Sequence, residues 1–324
     1  MIISHYLKSV SILTTVLLTI ALIVLNLYVP YDYHPTIKFL PLADSLVSRF
    51  SENKYVNAVT LFVIANIIAF FSYIINDRFI ILTQRSYFPY FIAGTLIVAG
   101  PYMQTLCATH FSFLFVFFSL YAILSIKEGS DNRYNIINAS LILSIGSFIQ
   151  FQVLFFLPVL WIAASMQKSF NFRAFQASLL GVILPYMIVL GAFYVFGSVD
   201  TILIPIKETM QFKGWDMQSI PDGFWPMFLG VALFVVIGFF SFLRYRERLN
   251  TISRRSMEIF IVFMLANFLL FIIGILPLQA SLVYGSLSAG IILSGLWIRI
   301  SVRAKRLMYY TYLIMLLISF IVKF

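Results

Sequence analysis

Residues 259–298 read IFIVFMLANFLLFIIGILPLQASLVYGSLSAGIILSGLWI, and these forty residues contain no Asp, Glu, Lys or Arg. A helix that crosses the hydrocarbon core of a membrane needs about 20 apolar residues, because an α-helix rises about 1.5 Å per residue. The run is therefore long enough for two crossings. The segment LPLQ (276–279) interrupts the apolar pattern near its middle, and proline disfavours a continuing helix. The stretch predicts a hairpin of two membrane-spanning helices.

The same pattern continues through the whole chain. Bounded by the nearest charged residues, the charge-free runs are 9–31, 55–76, 86–126, 134–167, 174–199, 223–243, 259–298 and 307–322. The runs 86–126 and 134–167 are also about twice the length of one span, with predicted turns at AGPYMQ (99–104) and IQFQ (149–152). Counting two spans for each double run predicts about eleven transmembrane helices, within a range of ten to twelve.

Composition excludes an ordinary soluble domain. Hydrophobic residues make up 61% of the chain and charged residues only 10%, with a mean hydropathy of +0.98. Soluble domains carry about 25% charged residues. We therefore expect an all-α, polytopic helical bundle, and residues 1–324 form a single integral membrane domain.

Basic residues give the predicted orientation. If the N-terminus is cytoplasmic, sixteen of the 22 Lys and Arg residues fall on the inner side. This asymmetry follows the positive-inside rule and predicts a cytoplasmic N-terminus. The net charge of +10 then reflects topology and contacts with membrane lipids, and it does not indicate a nucleic-acid partner.

Two outer loops are predicted, at 30–56 and 197–224, and they hold seven of the twelve acidic residues. In the first loop, apolar residues recur at helical spacing in FLPLADSLVSRFSENKY (39–55), which predicts an amphipathic helix lying at the membrane interface. No Asp, Glu, Lys or Arg lies in the middle of a predicted span, so an ion path lined by charge is disfavoured.

Asp32 and Asp44 are the candidate catalytic residues. A general base must be an ionisable group within reach of the substrate, and both lie in the first outer loop, where a lipid-borne substrate would arrive. The candidate substrate-binding residues are His34, Lys207, Lys213, His110 and Gln104. The simpler alternative remains that outer loops are polar by default and that polar groups in the spans only link helices. The chain has one cysteine, Cys107, so thiolate metal clusters are excluded and no metal site is predicted.

Two resemblances bear on function. The stretch RSYFPYFIAGTLIVAGPYMQTLCATHFSFLFVFFSLYAILSI (85–126), followed by NASLILSIGSFIQFQVLFFLPVLWI (138–162), resembles in rhythm the membrane glycosyltransferases of the GT-C class, which use polyprenyl-phosphate sugars. Residues 76–196 resemble an uncharacterised multi-pass inner-membrane family of Bacteroidota. The matching segments are NDRFIILTQRSYFP (76–89) and INASLILSIGSFIQFQVLFFLPVLWIAASMQKSFNFRAFQASLLGVILPY (137–186).

The GT-C resemblance implies an inverting sugar transfer from a lipid phosphate at the outer leaflet. A first-loop acid, Asp32 or Asp44, would be the base or would hold a divalent metal. The sequence departs from that pattern because Asp32 is followed by Tyr33 and His34 rather than by a second acid. Two alternatives stay open, which are a non-catalytic subunit with membrane-protein partners and a carrier or flippase for an amphipathic substrate.

Overall fold

A computed structural model describes residues 15–21, 23–24, 53–79, 81–82, 86–98, 106–126, 132–196, 204, 206–207 and 225–321. Over these residues the protein is helical and contains no strand. The predicted interfacial helix and nearly all of both predicted outer loops lie outside the described residues. The all-α prediction is confirmed, whereas the number of membrane crossings and the cytoplasmic N-terminus stay predictions.

Ten α-helices are described in full. They are α1 (Lys54–Phe79), α2 (Phe88–Ile97), α3 (Ala108–Leu124), α4 (Arg133–Ser147), α5 (Leu157–Met166), α6 (Phe172–Phe196), α7 (Trp225–Tyr245), α8 (Thr251–Ile272), α9 (Leu278–Arg299) and α10 (Val302–Ile321). Short 3-10 helices cover Phe151–Phe156 and Arg246–Arg248, and residues 15–21 and 23–24 are also helical.

Five helices are long and apolar enough to cross a membrane. They are Lys54–Phe79, Phe172–Val195, Met227–Arg248, Thr251–Ile272 and Leu278–Arg299. Shorter apolar helices lie between them in the chain, at Phe88–Ile97, Ala108–Leu124 and Phe151–Met166. A ten-residue helix such as α2 spans only about 15 Å, so its length alone does not carry it across the hydrocarbon core.

The two helices and the turn predicted within 259–298 are present. Helix α8 ends at Ile272 and α9 begins at Leu278. Gly274 adopts a positive φ of 81°, and the N–H groups of Ile275 and Leu276 both donate to the carbonyl of Leu270. This is a glycine-terminated helix end, in which the left-handed residue turns the chain so that it satisfies free carbonyls. The chain therefore turns slightly earlier than LPLQ, at Gly274, and Pro277 starts the next helix.

The hairpin predicted within 134–167 is also present, with a difference in its second arm. Helix α4 ends at Ser147, close to the predicted turn, and the chain resumes as a 3-10 helix before α5. Gln150 lies in extended backbone between the two arms, with φ −142° and ψ 107°. In the run 86–126, α2 ends at Ile97 and α3 begins at Ala108, while the predicted turn 99–104 lies outside the described residues.

Helix α9 is the centre of the bundle. Of its most apolar 18-residue window, 83% is buried, and it contacts α1, α2, α3, α7 and α8. Small residues make this packing possible, as is usual where membrane helices approach closely. A Cβ atom added at Gly290 would stand 3.0 Å from the carbonyl oxygen of Pro89 in α2. Helix α7 approaches α9 in the same way, since a Cβ at Gly238 would meet Ile292 at 2.8 Å.

Helix α6 lies at the periphery. Only 11% of its most apolar window is buried, and large side chains such as Met187, Ile188 and Val195 are exposed. Its inner face packs on α4, where the backbones come close at Gly181. The exposed apolar face is what a helix in contact with lipid presents.

We expect Gly181→Ala to destabilise the protein and Gly191→Ala to leave it unchanged or slightly more stable. A Cβ at Gly181 would lie 2.7 Å from the carbonyl oxygen of Ile137, so α6 and α4 must separate, at a cost of about 1–3 kcal/mol. At Gly191, on the same helix, a Cβ meets nothing within 4 Å, and alanine favours a helix by about 1 kcal/mol over glycine. Thermal unfolding of both variants in detergent micelles tests this, and equal midpoints would contradict the packing of α4 on α6.

Candidate functional site

Three hairpins meet at one buried polar cluster. The Tyr284 hydroxyl of α9 donates to Gln150 Oε1 at 2.9 Å and lies 2.7 Å from Ser112 Oγ of α3. Ser112 Oγ is itself 3.2 Å from Gln150 Oε1. All three residues are almost completely buried. The cluster thus joins α3, the turn after α4, and α9 through hydrogen bonds between neutral side chains.

Aromatic packing fixes the position of Tyr284. Its ring stacks on Phe113 with centroids 6.3 Å apart and meets Phe156 edge to face at 5.3 Å. Phe156 belongs to the 3-10 helix that follows Gln150. The turn after α4 therefore supplies the amide that binds the Tyr284 hydroxyl, and the 3-10 helix that follows supplies the ring that packs on Tyr284.

The cluster also includes a cysteine–histidine pair at the start of α3, since the Ser112 hydroxyl donates to the carbonyl of Thr109, between Cys107 and His110. Cys107 is the N-cap of the helix and His110 is its third residue, and each side chain bonds the other's backbone in a capping box. His110 Nδ1 accepts from the Cys107 N–H at 3.3 Å and is 3.2 Å from the Cys107 sulfur. Since Nδ1 accepts a backbone hydrogen bond, the proton of the neutral ring is on Nε2.

Two donors of the cluster have no acceptor among the described residues. They are His110 Nε2 and Gln150 Nε2, and both atoms are buried. A buried donor without a partner costs about 1–3 kcal/mol. Each of these two donors is suited to an oxygen acceptor, such as a hydroxyl group.

The cluster adjoins the end of the first predicted outer loop. The backbone N–H of Leu106, directly before Cys107, donates to Asn57 Oδ1 at 3.1 Å. Asn57 is in the first turn of α1, which follows the loop 30–56 in the chain. Asn57, which directly follows the predicted loop that carries Asp32 and Asp44, thus lies beside the start of α3.

Two arginines lie near the C-terminal ends of α1 and α9, away from the cluster. Arg78, near the end of α1, sits 5.1 Å from the ring centroid of Tyr121 near the end of α3. Arg299, at the end of α9, lies over the ring of Tyr245 at the end of α7, 5.3 Å from its centroid.

An apolar groove of about 600 Å³ opens along the side of α1. Its walls are mainly aromatic and aliphatic, and the residues that line it are Phe62, Val63, Asn66, Ile67, Phe70, Tyr73, Tyr87 and Tyr90. Its polar groups are satisfied internally, because Tyr90 donates to Asn66 Oδ1 at 2.7 Å and Asn66 Nδ2 donates to the carbonyl of Phe62. Val63 and Phe70 are exposed. The groove therefore presents a hydrocarbon-like surface on a helix long enough to cross the membrane.

Of the site residues predicted from the sequence, two are described. His110 is fully buried and belongs to the cluster, whereas Lys207 is exposed in a short helical stretch. Asp32, His34, Asp44, Gln104 and Lys213 lie outside the described residues. The structure therefore does not test whether the candidate acids meet, and their roles stay predictions. Among the described residues, no group of three His, Cys, Asp or Glu side chains could hold a metal ion.

Sequence reasoning missed three members of the cluster, Cys107, Ser112 and Tyr284. Only the spacing of Cys107 and His110 carried a usable signal, since a cysteine three residues before a histidine can cap a helix reciprocally. Ser112 and Tyr284 had no such signal, because serines and tyrosines occur throughout the apolar runs.

Comparisons of the chain with protein-family models, with curated proteins and with solved structures find no match. Neither resemblance described above is thereby tested, and both stay predictions. The site has to be interpreted from its own geometry.

We expect Tyr284→Phe to lower stability by about 0.5–2 kcal/mol, because Gln150 Oε1 loses the closer of its two hydrogen-bond donors at a buried position. Tyr134→Phe is the matched control, since Tyr134 is 73% exposed and the same atom is removed. Thermal unfolding in micelles measures both variants. A midpoint for Tyr284→Phe equal to that of Tyr134→Phe would mean that the cluster does not hold the hairpins together.

Proposed function

We propose that this protein is a bacterial inner-membrane enzyme of envelope-glycan assembly that acts, like GT-C glycosyltransferases, on polyprenyl-phosphate-linked sugars at the outer leaflet. The observation that supports the proposal is the hydrogen bond from the Leu106 N–H to Asn57 Oδ1, because Asn57 directly follows the acidic first loop in the chain and Leu106 directly precedes Cys107. Neutral amides, hydroxyls and imidazoles bind sugar hydroxyls, while a nearby carboxylate can act as a general base.

The groove on α1 is suited to the lipid part of the proposed substrate. A polyprenyl chain is apolar and remains in the bilayer, so an enzyme acting on it needs an apolar surface that opens to lipid. The aromatic walls around Val63 and Phe70 provide such a surface on the helix that directly follows the acidic loop.

In this proposal Asp32 is the general base and Asp44 supports it, either directly or by holding a divalent metal. His110 and Gln150 offer donors to hydroxyl groups of the sugar. His34, Lys207, Lys213 and Gln104 are candidates for contacts with the phosphate or the sugar. Each of these roles is an inference from residue chemistry and chain position.

A carrier is the second candidate function, and the two buried donors without acceptors favour it. Membrane carriers bind their substrates where helices are interrupted, and here short helices and broken arms surround the cluster. A carrier does not need a carboxylate that acts as a general base. A non-catalytic subunit should likewise tolerate the loss of Asp32. It should use the exposed face of α6 to bind a membrane protein.

We expect Asp32→Asn to abolish a glycan product that the wild-type protein restores in a deletion strain, because an amide is not a general base. Mass spectrometry of envelope glycans and lipid-linked sugars is the measurement, with Asp44→Asn alongside. Asp222→Asn, an acid of the second predicted outer loop, is the control that should complement fully. Full complementation by Asp32→Asn and Asp44→Asn would reject the enzyme and favour the carrier or the subunit.

We expect Val63→Trp to reduce that complementation strongly, because the larger ring fills the groove. Val59→Trp is matched to it, as Val59 lies one turn earlier on α1, is 63% exposed and does not line the groove. Expression of both variants is compared by immunoblot of membranes, so that a folding defect is seen separately. Equal glycan profiles for the two variants would remove the groove from the proposed function.

A further inference from the structure

A second pocket, of about 420 Å³, lies between the basic ends of α7 and α9. The residues that line it are Ile237, Phe240, Ser241, Arg244, Tyr245, Arg299 and Ile300. Two of them are arginines, and no acidic residue is among them. This pocket is separate from the cluster and from the groove on α1, and the proposed function does not use it.

Positive charge is concentrated around one aromatic ring of this pocket. The guanidinium carbons of Arg299 and Arg248 lie 5.3 Å and 5.5 Å from the centroid of the Tyr245 ring. Such cation–π contacts hold guanidinium groups in place without neutralising their charge. Tyr245 thus gathers two cations, and Arg244 is adjacent to it in the chain.

The described acidic residues near the pocket do not neutralise its arginines. Glu258 lies on α8 and approaches Arg246, with 2.7 Å between Glu258 Oε1 and Arg246 Nε. Glu247 is exposed beside it in the short 3-10 helix. The Arg299 Nη1 atom is buried and has no hydrogen-bond partner among the described residues. A guanidinium donor in this position is suited to an anion, and arginine binds phosphate oxygens through two parallel N–H groups.

The pocket also has an apolar part, which lies directly beside its arginines. Phe240 and Ile237 line the same pocket and are exposed, one and two turns before Arg244 along α7. Seven residues of helix cover about 10 Å, so the pocket runs from the basic end of the helix into its apolar part. A free phosphate would use only the basic end, whereas a phospholipid would fill both.

We propose that this pocket binds one anionic phospholipid, with its phosphate between Arg244 and Arg299 and one acyl chain along Phe240 and Ile237. Ser241 lies one turn from Arg244 and can donate its hydroxyl to a phosphate oxygen. Basic pockets between membrane helices on the cytoplasmic side are typical sites for such lipids. The lipid would hold the ends of α7 and α9 together, and α9 is the centre of the bundle.

The test is native mass spectrometry of the purified full-length protein in mixed micelles with phosphatidylglycerol or phosphatidylcholine. We expect one phosphatidylglycerol molecule to be retained by the wild type and no equivalent phosphatidylcholine. Each arginine is worth about 1 kcal/mol in such contacts, so Arg299→Gln should weaken binding about fivefold and the double change with Arg244→Gln about 25-fold. Arg299→Lys, which keeps the charge but loses the planar donor pair, should lie between the wild type and Arg299→Gln.

Arg303→Gln is the matched control, because Arg303 is exposed at the start of α10 and does not line the pocket. It should retain wild-type binding. Equal loss in Arg303→Gln and Arg299→Gln would show a general surface-charge effect and overturn the proposal.

A second measurement uses only the wild-type protein, so it does not depend on whether the arginine variants fold. It also distinguishes a phospholipid from free phosphate. The thermal unfolding midpoint of the wild type should rise with phosphatidylglycerol and stay unchanged with inorganic phosphate or phosphatidylcholine. An equal rise with inorganic phosphate would mean a free-anion site, and no rise with phosphatidylglycerol would mean no lipid site. Both results overturn the proposal and leave the proposed function untouched, because that function is measured by glycan profiles.

Discussion

Polar groups inside a membrane bundle cannot bond to water, so each must find a partner in the protein or carry an energetic penalty. The packing of this protein depends on that constraint at the hydrogen bonds of Tyr284, which tie Gln150 and Ser112 to the central helix. Because the three partners come from three hairpins, breaking one bond loosens contacts far apart in the chain. Asn267 adds a similar link within the last hairpin, where its amide donates to the carbonyl and hydroxyl of Ser281.

The rest of the bundle is arranged around α9 because small residues let other helices approach it. Gly290 admits α2, and Ile292 fits against Gly238 of α7. Helix α6 has a close contact of this kind only toward α4, at Gly181, and exposes its other face. The bundle therefore has a tightly packed centre rich in serine and glycine and an apolar periphery.

Charge divides the protein along the helix axes. The neutral cluster lies near the start of α1 and α3, whereas arginines gather at the ends of α1, α7 and α9. The two ends are thus suited to different ligands, hydroxyl groups at one and phosphate groups at the other. The proposed enzyme would work at the neutral end, while a bound lipid at the basic end would serve the stability of the bundle.

The sequence by itself determined the class of protein and much of its segmentation. Each segment that lies in hydrocarbon has to be apolar by itself, so charge-free runs could be recognised without knowing their neighbours. The predicted turn within 259–298 lies close to Gly274, where the chain turns. Run length was a weaker guide to helix length, since the run 86–126 contains the ten-residue α2. Only the tertiary structure decided which polar groups meet. Ser112 and Tyr284 are 172 residues apart, and their contact depends on how three hairpins pack, which no local pattern encodes.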